Sequence, residues 1–280
     1  MNINFIKLRK LSIFISIILC LISMFFIIKN KINLGIEFTG GLEIEIKIQK
    51  NINTENIKNI ISNLHGIDTK YYDYNSNSII LKIKNDNTSI INEIKTKLSY
   101  ELENNILKIT KISYIGAKVN NETINNSIFA IIASILSMTI YLIYRFELKS
   151  SINAVIALLH DIFLLLGVIA VFEMEVNLTI LSALLTVFGY SINDTIIIFD
   201  RIRENSKKYA NLNKSEIINL SINNTLSRTI KTSLTILMVS IILLTFGGKT
   251  LHEFSIILTI GIIIGTYSSI YIAAMITKLK

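Results

Sequence analysis

The chain has 280 residues, of which 51% are hydrophobic and 17% are charged, and its formal net charge is +8. Its mean hydropathy is +0.54, and its apolar residues are concentrated in runs near the length of about 20 residues that a helix needs to cross a bilayer. This composition excludes an ordinary water-soluble protein.

Six apolar runs predict six transmembrane helices. They cover roughly residues 11–28, 124–144, 152–172, 177–199, 229–248 and 254–277. The first run follows Lys7, Arg9 and Lys10, as a signal peptide would. However, its apolar length exceeds that of a signal-peptide core, and no small-x-small cleavage site follows. We therefore interpret residues 1–29 as a cytoplasmic N-terminus and an uncleaved first span, and residues 124–280 as spans two to six.

Lys and Arg residues are distributed unevenly around these runs. Half of the 28 basic residues lie in segments that would share one side of the membrane, whereas the two short loops on the other side hold only Lys249. Because basic residues are retained in the cytoplasm, we expect both termini to be cytoplasmic. The long segment between the first two spans is then exported. Since the positive charge is explained by membrane topology, we predict no nucleic-acid partner.

Residues 30–123 form the exported segment and predict a small α+β domain. Leu42 to Ile48 alternate apolar and polar side chains with the period of two of a half-buried strand. Next come a predicted helix over about 53–65, strands over 67–74 and 78–84, a helix over 88–104 and a strand over 106–115. This order of elements is that of the ferredoxin-like fold. No catalytic constellation stands out in the segment.

Asp194 lies inside the fourth apolar run. A carboxylate near the hydrocarbon core costs about 2.5–3.5 kcal/mol, so such residues face a bundle interior and serve an ion path or a buried pair. Residues three, four and seven positions apart share one face of a helix, and here that face carries Val187, Tyr190, Ser191, Asp194, Ile198 and Arg201. We interpret Asp194 as a proton carrier. The alternative is a buried carboxylate that only ties helices together.

The third run contains His160 and Asp161 near its middle. Adjacent residues point about 100° apart on a helix with 3.6 residues per turn, so one can face the Asp194 helix while the other faces a neighbour. A histidine beside a carboxylate can relay protons near neutral pH, and both residues are candidates for a proton relay. Neither an HExxH motif nor a cysteine pair accompanies them. We predict no metal and no cofactor.

Arg228 begins the fifth run and precedes two polar turns. It is expected either to neutralise Asp194 when the proton leaves or to anchor the helix at the membrane surface. Residues 200–228 are expected to form a cytoplasmic connector. Within it, a short amphipathic helix that lies on the membrane lipid is predicted by the apolar residues Ile217, Ile218, Leu220 and Ile222.

Small residues recur every four positions in the last run, at Gly261, Gly265, Ser269 and Ala273. Such a stripe lets helices approach closely. We therefore predict helix packing there, either within the chain or against a partner subunit.

Two motifs together resemble a known family. The first is GIEFTGG, which contains Gly35, Gly40 and Gly41. The second is FGYSINDTIIIFDRIREN at 188–205, which contains Gly189, Tyr190, Asn193 and Asp194. Further pieces in order are IALLHDIFLLLG at 156–167, SRTIKTSLTILM at 227–238, LTFGG at 244–248 and IGTYSSIYIAA at 264–274. The chain resembles the SecF family, the smaller membrane subunit of the bacterial SecDF protein-export complex in the resistance-nodulation-division superfamily.

The resemblance covers nearly the whole chain and has two departures. The family usually has aspartate where Glu37 stands, and often a proline where Lys249 stands. Six spans with one large loop after the first are also the layout of the family. The resemblance supports a role for Asp161 in addition to Asp194.

The resemblance implies a transport subunit, not an enzyme. It implies a multi-pass protein of the bacterial inner membrane whose partners are SecD, the SecYEG channel and the exported polypeptide. Proton passage at Asp194 would drive export through SecYEG and release on the outer side. Two other functions stay open: a non-transporting scaffold that stabilises the translocon, and a small-molecule exporter of the same superfamily.

Overall fold

A computed structural model of the chain describes residues 3–48, 67–73, 78–83 and 107–274. Six of its helices are long and apolar enough to cross a membrane. They are α1 (Phe5–Asn30), α3 (Ala117–Arg145), α4 (Leu148–Val171), α5 (Leu178–Lys208), α6 (Lys214–Phe246) and α7 (Gly248–Ser268). Each of the six predicted runs thus contains a helix.

The shorter elements are a helical turn, a π-helical turn and six strands. They are α2 (Ile36–Thr39), β1 (Asn33–Leu34), β2 (Gly41–Ile48), β3 (Ile67–Asp73), β4 (Ser78–Ile83), β5 (Leu107–Ile115), β6 (Glu175–Val176) and the π-helical turn Ser269–Ala273 that continues α7. The chain divides into two compact units. One comprises residues 1–33 and 129–280, and the other comprises residues 34–128.

Helices α4, α5 and α7 form the centre of the helical unit. In the most apolar stretch of each helix, the buried share of residues is 50% for α4, 44% for α5 and 56% for α7. The same share is only 11–17% for α1, α3 and α6. Val187, Ile257 and Ile262 are fully buried in one apolar cluster, and Phe199 and Ala273 belong to a second. The three peripheral helices expose large apolar side chains, including Phe14, Phe129 and Met238.

Side chains at helix N-termini define where α5 and α6 begin. Asn177 accepts a hydrogen bond from the backbone nitrogen of Ile180 at 2.8 Å. Asn213 and Glu216 form a reciprocal capping box at the start of α6, an arrangement that satisfies two backbone donors that the helix itself cannot pair. Helix α5 runs on to Lys208, so most of the predicted connector 200–228 is a continuation of the two spans.

The prediction of a helix that lies on the membrane surface within this connector is wrong. Ile217, Ile218 and Ile222 are at most 6% exposed, and Ile218 and Ile222 pack in the same cluster as Phe199. Their apolar face is covered by the rest of the bundle, so it is not available to lie on lipid.

The residues that precede α1 are hydrogen-bonded to α6. The backbone nitrogen of Ile3 donates to Asn223 Oδ1 at 2.9 Å, and Asn223 Nδ2 donates to the backbone oxygen of Ile3 at 2.9 Å. The backbone nitrogen of Phe5 donates to Asn219 Oδ1 at 2.9 Å. Two amide side chains one helical turn apart on α6 therefore hydrogen-bond to the N-terminal backbone and fix it against that helix. We call this contact the N-terminal clasp.

The second unit contains a four-stranded antiparallel sheet in the order β3-β4-β2-β5. Ile44, in the central strand β2, is 1% exposed and pairs with Leu81 of β4 and Ile112 of β5. These four strands lie where the alternation of the sequence predicts them. The two predicted helices, over 53–65 and 88–104, lie outside the described residues.

Two adjacent glycines lead into this sheet. Gly40 has φ +69° and ψ 167°, and Gly41 has φ +130°, which are backbone angles that essentially only glycine adopts. Turned with its amide nitrogen toward α2, the Asn120 side chain donates to the backbone oxygens of Glu37 at 3.3 Å and Phe38 at 2.7 Å. Gly35 begins the same turn, since its oxygen accepts from the backbone nitrogen of Phe38 at 3.0 Å.

Candidate buried carboxyl site

Two carboxyl side chains lie wholly inside the helical unit. Asp161 of α4 and Asp194 of α5 are both 0% exposed. The polar residues of α5 at Tyr190, Ser191 and Thr195 are buried as well, because the apolar residues flanking them pack against α4 and α7. The polar face expected from the helical period therefore points into the bundle.

Asp161 is fully hydrogen-bonded on the side that faces α5 and α7. Its Oδ2 atom accepts from Ser191 Oγ at 2.6 Å and from Ser268 Oγ at 2.7 Å. Its Oδ1 atom lies 3.2 Å from His160 Nδ1. One carboxyl group thus ties three helices together. His160 Nε2 is buried and has no hydrogen-bond partner among the described residues.

Asp194 differs from Asp161 in having no hydrogen-bond partner among the described residues. Both of its carboxyl oxygens are buried without a hydrogen bond in the part of the chain that the structure describes. The Tyr190 hydroxyl lies nearby, one turn earlier, but it donates its single proton to Ser233 Oγ at 2.6 Å. Arg228 of α6 is close enough for its charge to act on the carboxyl. A buried carboxylate without hydrogen bonds is unfavourable, so this group has an unfilled capacity for a proton or a cation.

Hydroxyl side chains near the two carboxyl groups form hydrogen bonds between α5, α6 and α7. Ser233 of α6 pairs with Thr266 of α7 at 2.9 Å. Thr195 of α5 donates to Ser269 Oγ at 3.0 Å. Thr229 Oγ1 is a further buried atom without a hydrogen-bond partner among the described residues.

Two glycines of α7 let that helix approach α5. A Cβ atom at Gly261 would clash with the side chain of Val187, and one at Gly265 would lie 2.9 Å from Ser191 Cβ. Close approach of backbones through small residues is the usual device in membrane helices. The stripe of small residues therefore packs inside the chain, on the helix that carries Asp194.

Other residues singled out by the sequence lie elsewhere. Gly189 is exposed, and a Cβ there would meet no atom of the described residues within 4 Å. Asn193 is exposed on the same helix. Arg228 is exposed and reaches Asp194 only through its charge.

Sequence reasoning missed Thr266 and Ser268 as members of the site. A signal was present, since hydroxyl residues in an apolar helix need a hydrogen-bond partner. The partner could not be identified because the sequence does not give the order of the helices in space. Among the described residues, no three His, Cys, Asp or Glu side chains are grouped so as to hold a metal ion.

Comparison with known proteins connects this architecture to one family. Residues 94–279 match a family described as protein export membrane protein SecD/SecF, C-terminal, and residues 25–52 match the SecD/SecF GG motif. The protein translocase subunit SecF of Rickettsia typhi is 36% identical, covering 98% of this chain and 90% of its own. That of Haemophilus influenzae is 38% identical, covering 96% of this chain and 83% of its own.

Solved structures give the same relationship. The crystal structure of SecDF, a translocon-associated membrane protein from Thermus thermophilus, superposes with a TM-score of 0.86 and 28% sequence identity over 98% of this chain. SecDF in a super-membrane-facing form gives a TM-score of 0.70 at 27% identity. The present chain spans 38% of the SecDF chain in both comparisons.

Proposed function

Because this chain belongs to the SecF family of protein-export membrane subunits, we infer that it acts in protein export as one part of a SecDF complex. The family match covers the central helices α4, α5 and α7 as well as the two glycines before the exported sheet. Protein export is therefore a function of the whole membrane assembly, in which this chain supplies six helices and one exported unit.

We propose SecD as the partner within the membrane. The chain spans 38% of the SecDF chain, and we propose that a SecD polypeptide supplies the remaining part of that assembly. The peripheral helices α1, α3 and α6 expose apolar side chains along most of their length. Lipid and the SecD helices are the two apolar surroundings that would cover them.

We propose that Asp194 carries protons for this export step. The observation that carries the proposal is that both carboxyl oxygens are buried without a hydrogen-bond partner among the described residues, close enough to Arg228 for its charge to act on them. A carboxyl group in this position can be neutral when protonated and can be balanced by Arg228 when the proton has left. The proton motive force would supply the proton.

Asp161 and His160 have a different place in this proposal. Asp161 is hydrogen-bonded by Ser191 and Ser268, and no hydrogen bond within the described residues joins it to Asp194. The pair therefore holds the Asp194 helix in position and offers a second protonatable group with its own neighbours. If Asp161 and His160 relay protons, they would do so separately from Asp194, because no hydrogen bond among the described residues connects the two groups.

The exported unit is proposed to have the ferredoxin-like fold, since its four antiparallel strands have the order that this fold requires. With both termini in the cytoplasm, it would lie on the outer side of the inner membrane. There it would engage a polypeptide that emerges from SecYEG and favour its release outward.

The test is complementation combined with proton flux. Cells depleted of their own SecF receive this chain or its Asp194→Asn variant, and export of a secreted reporter is measured at equal membrane levels and equal SecD association. Proton flux is measured in membrane vesicles from the same cells. We expect Asp194→Asn to lose both export and flux. Full rescue by the variant would instead support a non-transporting scaffold.

The same strains distinguish the small-molecule exporter, the second alternative. An exporter of that kind would leave reporter secretion unchanged in the variant and would change the accumulation of a dye substrate. We favour protein export because the matched family is described as a protein export membrane protein and the relatives compared above are named protein translocase subunits.

A further inference from the structure

Four consecutive residues of α7 and its π-helical extension hydrogen-bond to four different helices. Thr266 pairs with α6, Tyr267 with α1, Ser268 with α4 and Ser269 with α5. Because successive residues of a helix point about 100° apart at 3.6 residues per turn, four of them cover most of its circumference. We call Thr266–Ser269 the junction segment.

Two members of the junction segment contact the carboxyl site. Ser268 donates to Asp161 Oδ2 at 2.7 Å. Ser269 donates to the backbone oxygen of Ser191 at 3.1 Å and accepts from Thr195 at 3.0 Å. Ser191 in turn donates to Asp161, and Thr195 follows Asp194 directly in the chain. A shift of the α4 or α5 backbone near either carboxyl group would therefore alter the hydrogen bonds of this segment.

The backbone of α7 changes its hydrogen-bond pattern at the same place. The α-helix ends at Ser268, and a π-helical turn runs from Ser269 to Ala273. Single π turns within α-helices are uncommon and occur frequently at functional sites. The junction segment thus lies where the helix passes from α-helical to π-helical hydrogen bonding.

Tyr267 is the member that reaches α1. Its hydroxyl donates to the backbone oxygen of Ser12 at 2.6 Å and, with its own proton used in this way, accepts from Ser16 Oγ at 3.0 Å. Ser12 and Ser16 are each 5% exposed in a helix whose apolar residues are largely exposed. Polar contacts, and not apolar burial, therefore connect this part of α1 to α7.

Helix α1 is also one of the two covalent routes to the exported unit, which begins at residue 34, four residues after α1 ends, and continues at its other end into α3. We propose that Tyr267 is the positioning residue that couples the buried carboxyl site to α1. A change at Asp161 or Asp194 moves the junction segment, and the Tyr267 hydroxyl transmits that movement to α1. This inference rests on the proposed proton-driven function and identifies how that function reaches the exported unit.

The test removes one hydroxyl. Tyr267→Phe keeps the ring that packs against Tyr271, at 5.4 Å between centroids, and loses both bonds to α1. Tyr271→Phe is the matched control, because Tyr271 makes ring contacts with Phe5 and Tyr267. The full chain is expressed with its SecD partner, and reporter export and proton flux are measured at equal membrane levels.

We expect Tyr267→Phe to reduce export by about two- to thirtyfold, the range that mutations in coupled networks produce, while proton flux stays near that of the unmodified chain. Tyr271→Phe should retain both. Unchanged export in Tyr267→Phe would overturn the proposal, as would a proportional loss of flux and export. A purely structural role predicts that proportional loss.

A second variant decides the matter if Tyr267→Phe fails to accumulate. Ser16→Ala removes one of the two bonds and should reduce export less, again with flux retained; export equal to the unmodified chain would count against the coupling. In the double variant the two effects should be non-additive, since both changes act on one contact. Asp194→Asn in the same assay tests the proton step separately, because it changes flux itself.

Discussion

Ser191 donates a 2.6 Å hydrogen bond to Asp161 across the contact between α4 and α5. Ser191 lies three residues before Asp194 on α5. The bond to Asp161 therefore holds in place the helix that carries Asp194. Two acids in one bundle thus have separate physical roles.

Replacing Ser191 by alanine should loosen this contact. Asp161 Oδ2 would then accept a hydrogen bond only from Ser268. We expect the free energy of unfolding to fall by about 1–3 kcal/mol, the cost of leaving a buried polar group without one of its hydrogen bonds. Retention of the folded protein after heating in detergent measures it. The control is Ser182→Ala, since Ser182 is exposed and bonds to its own helix. Equal thermal losses in the two variants would contradict this role of Ser191.

Alanine at Gly265 should destabilise the bundle, whereas alanine at Gly189 should not. The new Cβ at Gly265 would lie 2.9 Å from Ser191 Cβ, and overpacking of this kind costs about 1–3 kcal/mol. At Gly189 nothing lies within 4 Å, and alanine in a helix gains about 0.5–1 kcal/mol over glycine. The same heating assay applies. A destabilised Gly189→Ala protein would indicate a partner subunit at that face.

Gly40→Ala should weaken the start of the four-stranded sheet. Its φ of +69° with ψ of 167° lies in a region that costs other residues about 1–3 kcal/mol. Protease resistance of the exported unit in spheroplasts is the measurement. Gly116→Ala serves as the control, because its Cβ would meet Tyr114 at an ordinary 3.6 Å. If both variants resist protease equally, the positive φ is not needed for this turn.

Arg228→Gln should impair export several-fold while insertion and SecD association are retained. The substitution removes the charge that acts on Asp194, so the deprotonated carboxyl would lose its compensation. Export and membrane level are measured together. Lys231→Gln, three residues further along α6 and also exposed, provides the comparison. Parallel losses of export and membrane level in Arg228→Gln would favour a surface anchor instead.

The sequence predicts the spans because the apolar runs are long enough to cross a bilayer, and it predicts the inward polar face of α5 because that face follows from the helical period. It also predicts Asp161 and Asp194 as buried groups, since a charged side chain inside an apolar run is costly unless it faces the interior of the bundle. Ser268 and Thr266 as partners could not be predicted, because their contacts depend on which helices are neighbours. The same reason explains the error at Ile218, whose apolar face is covered by other helices where the sequence alone suggested lipid.

The N-terminal clasp has a consequence for biosynthesis. Ile3 is synthesised before its partner Asn223, which follows 220 residues later. Tyr267 meets Ser12 only after a further stretch of chain, at a separation of 255 residues. The Ser16 hydroxyl and the backbone before α1 therefore gain these partners only after α6 and α7 have been synthesised. A chain that stops before α7 would lack Ser268, a partner of Asp161, and Tyr267, the partner of α1, which makes α7 the helix that completes the bundle.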